Sequence, residues 1–337
     1  MTPLELYLNQ MSKVEPLLRL HEGQPLDKWK GLARQKLREL LGMDQIVPCA
    51  LDFQAEETLD KGDYTRTRFT FQSEPGFRVP GYFCLPVVGG KPCETRLGQP
   101  PAEKLSVMVC LQGHSTGMHI SLGETKYPKD EIHGDRDFVR HAIEHGHAAL
   151  VIEQRCFGEQ GGRPEGGTNC GQASMAALLL GRTTLAGRVW DVMRAIDAAE
   201  AHFSPGAQYC CMGNSGGGTA TWYAAALEPR IAKAMPSCAV CSFDGSIGPI
   251  SHCVCNYVPG IRQWFDMGDL AGLIAPRPLV VVAGLTDRIF PIDATRETFR
   301  LIQSYYAAAG APDNCKLYVG AEGHRFYAEA WEEFVAL

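Results

Sequence analysis

The stretch that decides the fold is QYCCMGNSGGGT at residues 208–219. Its first half is a short apolar run of strand length. Its second half is a glycine-rich turn, and the ATWYAAAL that follows reads as a helix. Gly213, Ser215 and Gly217 satisfy the spacing G-x-S-x-G. A nucleophile lifted out of a sheet sits at a sharp, strained strand-to-helix turn. The residues two before and two after it must be small so that strand and helix can approach. The same turn aims the N–H of Gly216 into the site, and the helix N-terminus adds positive potential there. A bare glycine turn at a strand end is the plain alternative. The strand and helix on its two sides favour the nucleophile.

A serine needs a base and an orienting acid. In a strand–turn–helix hydrolase they follow in the order Ser, Asp or Glu, His. Downstream, PLVVVA at 278–283 reads as a central strand, and Asp287 stands in the loop leaving its C-terminal end. Asp287 is therefore the expected acid, with Asp244, after the preceding strand, as the second candidate. An expected strand at 316–319 runs into GAEGHR, which places His324 in a glycine-flanked loop before the last helix, where the base belongs. Upstream, a strand at 105–111 leads into QGHSTG. The N–H of His114 is the candidate second oxyanion donor beside Gly216. The His114 imidazole either lines the site or serves the loop.

Around these motifs the chain alternates short apolar runs with helical patterns. Strands are expected at 64–71, 79–85, 105–111, 148–153, 208–212, within 231–240, at 278–283 and at 316–319. Helices are expected at 3–20, 27–41, 136–145, 178–202, 217–227, 294–309 and 328–336. In the second helix Trp29, Leu32, Ala33, Leu37, Leu40 and Leu41 recur at helical spacing. Residues 87–104 read as a surface loop. Such alternation means an α/β fold, a mostly parallel sheet flanked by helices on both faces. Residues 1–50 are expected to form an N-terminal helical extension and residues 51–337 the catalytic domain. Residues 241–272 fit the alternation poorly and are expected to form a cap or loop excursion over the site.

Composition excludes several classes. The 337 residues are 45% hydrophobic and 21% charged, with net charge −6. Those are ordinary globular values, which exclude disordered, collagen-like and coiled-coil chains. No basic stripe points to nucleic acid, and no cluster of Lys and Arg points to a membrane surface. No apolar run of 18 residues occurs, and the N-terminal stretch lacks a signal-peptide core, so a cytoplasmic protein is expected. The 13 cysteines sit mostly in apolar runs, as Cys110, Cys210, Cys211 and Cys238 do, and read as buried reduced thiols.

Taken together these segments resemble the α/β-hydrolase superfamily, in particular its acetyl xylan esterases, cephalosporin deacetylases and dienelactone-hydrolase-like esterases. The resemblance rests on LQGHSTG, the Glu153-Gln-Arg-Cys-Phe-Gly158 stretch, GNSGGG, the block APRPLVVVAGLTDRIFP at 275–291, and GAEGHRF at 320–326. It covers roughly residues 60–337. In acetyl xylan esterases an Arg-Gly-x-Gly segment packs beside the nucleophile loop. Here Cys156 replaces its first glycine, and by resemblance Arg155 is a candidate substrate-binding residue. Dienelactone hydrolases proper use a cysteine nucleophile, so Ser215 argues against that activity.

Two patterns compete for a metal. His141-Ala-Ile-Glu144-His145 matches H-x-x-E-H, and two histidines so spaced share a helix face. That helix lies between two strands, away from the elbow. Cys238-x-x-Cys241 and Cys253-x-Cys255 have uncommon structural-zinc spacing, and buried reduced thiols are favoured. No metal and no cofactor are therefore expected.

The sequence reading is thus a serine hydrolase of carboxylic esters acting on a small-molecule ester. Ser215, Asp287 and His324 are catalytic, Gly216 and His114 form the oxyanion hole, and Tyr257 and Trp264 in the excursion are candidates to stack on substrate. It implies neither nucleic-acid nor membrane partners and leaves room for a homo-oligomer. A prolyl-oligopeptidase-like peptidase and a non-catalytic hydrolase-fold binding module are the alternatives. No propeller domain is expected ahead of the catalytic segment, which ranks the peptidase lower, and the presence of the Ser, Asp and His ranks the binding module lower.

Overall fold

The computed structural model describes residues 1–92, 104–130 and 132–337. In chain order its helices are α1 (Pro3–Met11), α2 (Leu26–Leu41), α3 (Phe138–Glu144), α4 (Cys170–Leu179), α5 (Thr184–His202), α6 (Gly216–Leu227), α7 (Ile261–Trp264), α8 (Ala271–Ile274), α9 (Ile292–Ala308) and α10 (Ala330–Ala336). Its strands are β1 (Gln54–Asp60), β2 (Tyr64–Glu74), β3 (Phe77–Val88), β4 (Lys91–Pro92), β5 (Ser106–Leu111), β6 (Ala148–Ile152), β7 (Gln208–Asn214), β8 (Ile231–Ser237), β9 (Leu279–Gly284) and β10 (Cys315–Gly320).

One sheet runs in the order β1-β2-β3-β6-β5-β7-β8-β9-β10, with β4 on β3. From β6 to β10 every pairing is parallel, and β1, β2 and β3 add an antiparallel wing. The parallel strands are apolar at nearly every position because both faces are covered. In β5, Val107, Val109 and Leu111 join the core under α2, α5, α6, α8 and α9. Met108 and Cys110 point the other way, into the core under α3 and α10. This is the period of two that an extended chain imposes on its side chains.

The topology itself places the site. After β5 the chain forms β6 on one side, then crosses back to form β7 on the other. The loops leaving β5 and β7 therefore diverge and open a crevice at the strands' C-terminal ends, the place where open α/β sheets bind ligands.

Several expectations shift. The helix expected over 3–20 stops at Met11, where Ser12 caps it, and the chain then turns through Pro16. The helix expected over 178–202 is two helices, α4 and α5. Gly181 takes φ +71°, and Thr183 starts α5 by accepting the N–H of Ala186. In α2, Trp29, Ala33, Leu37 and Leu41 are buried, whereas Leu32 is 54% exposed. The loop expected over 87–104 falls partly outside the described residues, and what is described of its start completes β3 and β4. Among the described residues no helix is long and apolar enough to cross a membrane, and twelve cysteines are free thiols.

Candidate active site

Ser215 sits between β7 and α6 with φ +55° and ψ −121°, a conformation non-glycine residues rarely hold. It is pinned there by its own backbone. Its N–H donates to Ser237 O at 2.9 Å, and its carbonyl accepts the Thr219 N–H at 2.8 Å. The two flanking glycines are sterically required. A Cβ at Gly217 would lie 2.0 Å from Leu111 O, and one at Gly213 would lie 2.5 Å from Gly217 O. The β5 loop comes equally close, since a Cβ at Gly113 would meet Asn214 O at 2.8 Å. Neither the Gly216 nor the His114 N–H makes a hydrogen bond among the described residues.

His324 and Asp287 come from the loops after β10 and β9. The Nδ1 of His324 is 2.8 Å from Oδ2 of Asp287. Asp287 Oδ1 accepts the N–H groups of Ile289 at 2.8 Å and Phe290 at 3.1 Å. Burial pushes the Asp287 carboxyl up, but His324 and these two N–H groups outweigh it and hold it below the usual carboxylate range. The ring of Phe290 stacks on His324 at 5.9 Å and 14°. Among the described residues no hydrogen bond joins Ser215 to His324, whose Nδ1 bond to Asp287 is its one side-chain hydrogen bond there. Beneath the pair, the Cys238 thiol donates to Arg325 O at 3.1 Å, and burial pushes its pKa up to about 12. It stays protonated beside the carboxylate. Asp244 is occupied elsewhere, with its Oδ2 2.8 Å from Nη2 of Arg262.

A cavity of about 180 Å³ opens over the serine. It is lined by His114, Ser215, Gly216, Thr219, Ser251, His252, Cys253, Asn256, Ile289 and Phe290. The 241–272 excursion thus reaches the site through Ser251, His252, Cys253 and Asn256, of which the sequence reading weighed only Cys253, and that for a metal rather than for substrate. The residues it did single out for substrate lie elsewhere. Tyr257 donates its hydroxyl to Ile247 O and lines a separate cavity against α1, and Trp264 packs under Lys36. Arg155 is also corrected: its guanidinium donates to Asp191 at 2.7 and 2.8 Å and to Glu74, inside a buried network. None of the three lines the Ser215 cavity. A further cavity of about 360 Å³ shares His114 with it and carries Lys129, Arg136 and Arg163.

The H-x-x-E-H histidines hold structural posts. His141 is buried against Asp137 at 3.2 Å, and His145 stacks on Trp331 at 4.5 Å. Two of the excursion's cysteines come together, while Cys241 lies in the core. Cys253 and Cys255 meet Cys170, from the first position of α4, around the imidazole of His114.

A sheet of this order, with a strained serine after β7, an acid after β9 and a histidine after β10, is a known arrangement. The structure superposes on a "putative acetyl xylan esterase" from Bacteroides fragilis with a TM-score of 0.80 at 15% identity, covering 100% of this chain and 95% of that one. The chain has the α/β-hydrolase fold. A glucuronoyl esterase from Solibacter usitatus is similar over 96% of this chain and 98% of its own, with a TM-score of 0.66 and 15% identity. In sequence, the chain is 24% identical over 257 residues to the "Putative hydrolase YtaP" of Bacillus subtilis, which spans 73% of this chain and 78% of that protein. No protein-family model matches the sequence.

Proposed function

We propose that this protein is a serine hydrolase of carboxylic esters. The observation that supports the reading is that Ser215, in its strained turn after β7, and the Asp287–His324 pair after β9 and β10 leave the C-terminal ends of one sheet, with Phe290 both lining the Ser215 cavity and stacking on His324. In the proposed cycle Ser215 Oγ attacks the acyl carbon while His324 Nε2 takes its proton. The N–H groups of Gly216 and His114 hold the oxyanion. His324 then gives the proton to the leaving alcohol, and water repeats the sequence on the acyl-enzyme. Asp287 keeps the proton of His324 on Nδ1 and stabilises the imidazolium.

Names of similar proteins, an acetyl xylan esterase and a glucuronoyl esterase, support an ester of a sugar or sugar acid as substrate. Lys129, Arg136 and Arg163 beside His114 favour a substrate carrying a carboxylate. The disulfide-free thiols favour a reducing compartment. Residues 51–337 carry the chemistry in this reading, with 1–50 as a helical extension. The test is labelling by a fluorophosphonate probe, mapped by mass spectrometry, together with turnover of acetyl esters and uronate esters. Labelling at Ser215 with ester turnover is expected. A folded protein that neither labels nor turns over esters overturns the proposal.

A further inference from the structure

Beside the Ser215 cavity, three chain segments bring four soft donors to one point. His114 comes from the loop after β5, Cys170 from the start of α4, and Cys253 and Cys255 from the excursion. Their ligand atoms all lie within 4.8 Å of one another. His114 Nε2 is 3.2 Å from Cys255 Sγ and 3.9 Å from Cys170 Sγ. A tetrahedral zinc with Zn–S near 2.3 Å and Zn–N near 2.0 Å sets its donors roughly 3.5–3.8 Å apart. The observed separations fall on either side of that spacing.

Charge supplies the second observation. Arg188 is 2% exposed, and among the described residues no carboxylate pairs with it. Its Nη1 lies 3.2 Å from Cys255 Sγ and its Nη2 3.4 Å from Cys170 Sγ. Its Nε and Nη2 also donate to Arg155 O, and the guanidinium lies over the ring of Phe157 at 4.2 Å. A buried guanidinium needs an anionic partner. Three thiolates around a divalent cation leave one net negative charge, which Arg188 cancels. Cys170 at a helix N-terminus is also placed to ionise.

We propose that His114, Cys170, Cys253 and Cys255 form a structural site for a thiophilic divalent cation, zinc by its donor set. Binding releases the thiol protons to solvent and forms three sulfur–metal bonds and one nitrogen–metal bond, with no change of oxidation state. Arg188 donates to two of the sulfurs from outside the ligand shell. The cation clamps the excursion to the loop carrying His114, whose Nδ1 side abuts Gly216: a Cβ there would lie 2.6 Å from it. Cys253, which lines the Ser215 cavity, is fixed by the same clamp. The chemistry at Ser215 does not pass through the metal, so this site and the esterase reading stand or fall separately.

The test is the metal content of the full chain, purified without chelators from cells grown with added zinc. About one zinc per chain is expected, released by an organomercurial in step with thiol blockage. Cys255→Ser and Cys170→Ser should each lose most of it, while Cys49→Ser, at a cysteine outside the cluster, should keep it. Cobalt added to the metal-free wild-type chain should give thiolate-to-cobalt charge-transfer absorption and intense tetrahedral d–d bands. This readout needs no variant to fold. Reduced wild-type protein that holds no zinc and shows no such cobalt spectrum overturns the proposal. So does a disulfide among Cys170, Cys253 and Cys255 in freshly isolated protein.

Discussion

Nδ1 of His324 and Oδ2 of Asp287 stand 2.8 Å apart, although 37 residues separate them in the chain. β9 and β10 are parallel neighbours whose register pairs Gly284 with Gly320, so the loops that follow leave the sheet side by side. The approach is tight: a Cβ at Gly284 would lie 2.0 Å from Gly323 O. The acid and the base are thus set by strand register together with the missing side chain of one glycine.

That geometry separates the two acid candidates. Asp287→Asn puts an amide where Nδ1 needs an acceptor and favours the wrong tautomer. Turnover is expected to fall on the order of 10⁴-fold. Asp244→Asn only weakens a pair with Arg262 and should leave turnover within a few-fold. Steady-state kinetics of both variants, with circular dichroism to check folding, decides. A dead Asp244→Asn beside an active Asp287→Asn would reassign the acid.

Ser215→Ala should abolish ester turnover, by roughly 10³-fold or more, while the fold persists. The backbone bonds that hold the turn do not involve the hydroxyl. Near-normal turnover by folded Ser215→Ala protein would remove the nucleophile.

Glu153 makes stability depend on pH. Burial pushes its carboxyl up to about 7, although it accepts the N–H groups of Met118 and Glu159. In the unfolded chain such a group titrates at about 4.3. Between these values the folded state holds a proton that the unfolded state has released, so stability falls as pH rises from about 4.3 to about 7. Glu153→Gln retains an acceptor oxygen and cannot ionise. Its melting temperature should decline less across that window than the wild type's, and the gain should be largest at pH 8. Parallel melting curves for the two proteins would count against this account.

Arg155 acts on stability. Arg155→Met leaves Asp191, fully buried, without its guanidinium, while Glu74 keeps Arg182; the loss is about 3–5 kcal/mol for a broken buried pair. Denaturant unfolding should show it. Arg155→Met, Asp191→Asn together should recover part of that loss. A raised KM with unchanged stability would instead restore Arg155 to substrate binding.

The strands, the elbow and the order of Ser215, Asp287 and His324 were legible because they are local. A strand buried on both faces must be an unbroken apolar run, as LVVVA at 279–283 is. A strained turn between strand and helix must carry glycines two residues to either side. Cys253-x-Cys255, by contrast, has no telling spacing, and Cys170 and His114 lie far from it in sequence. Resemblance alone put Arg155 at the substrate, and nothing near it in the chain announces Asp191 or Glu74 as its partners. Likewise, the excursion was visible as a break in the alternation, but its aromatics turn away from the serine while Ser251, His252 and Cys253 face it. Periodicity reports which face of an element is buried. Which buried polar groups meet is decided by crossovers and loop paths, through contacts between residues that local pattern cannot connect.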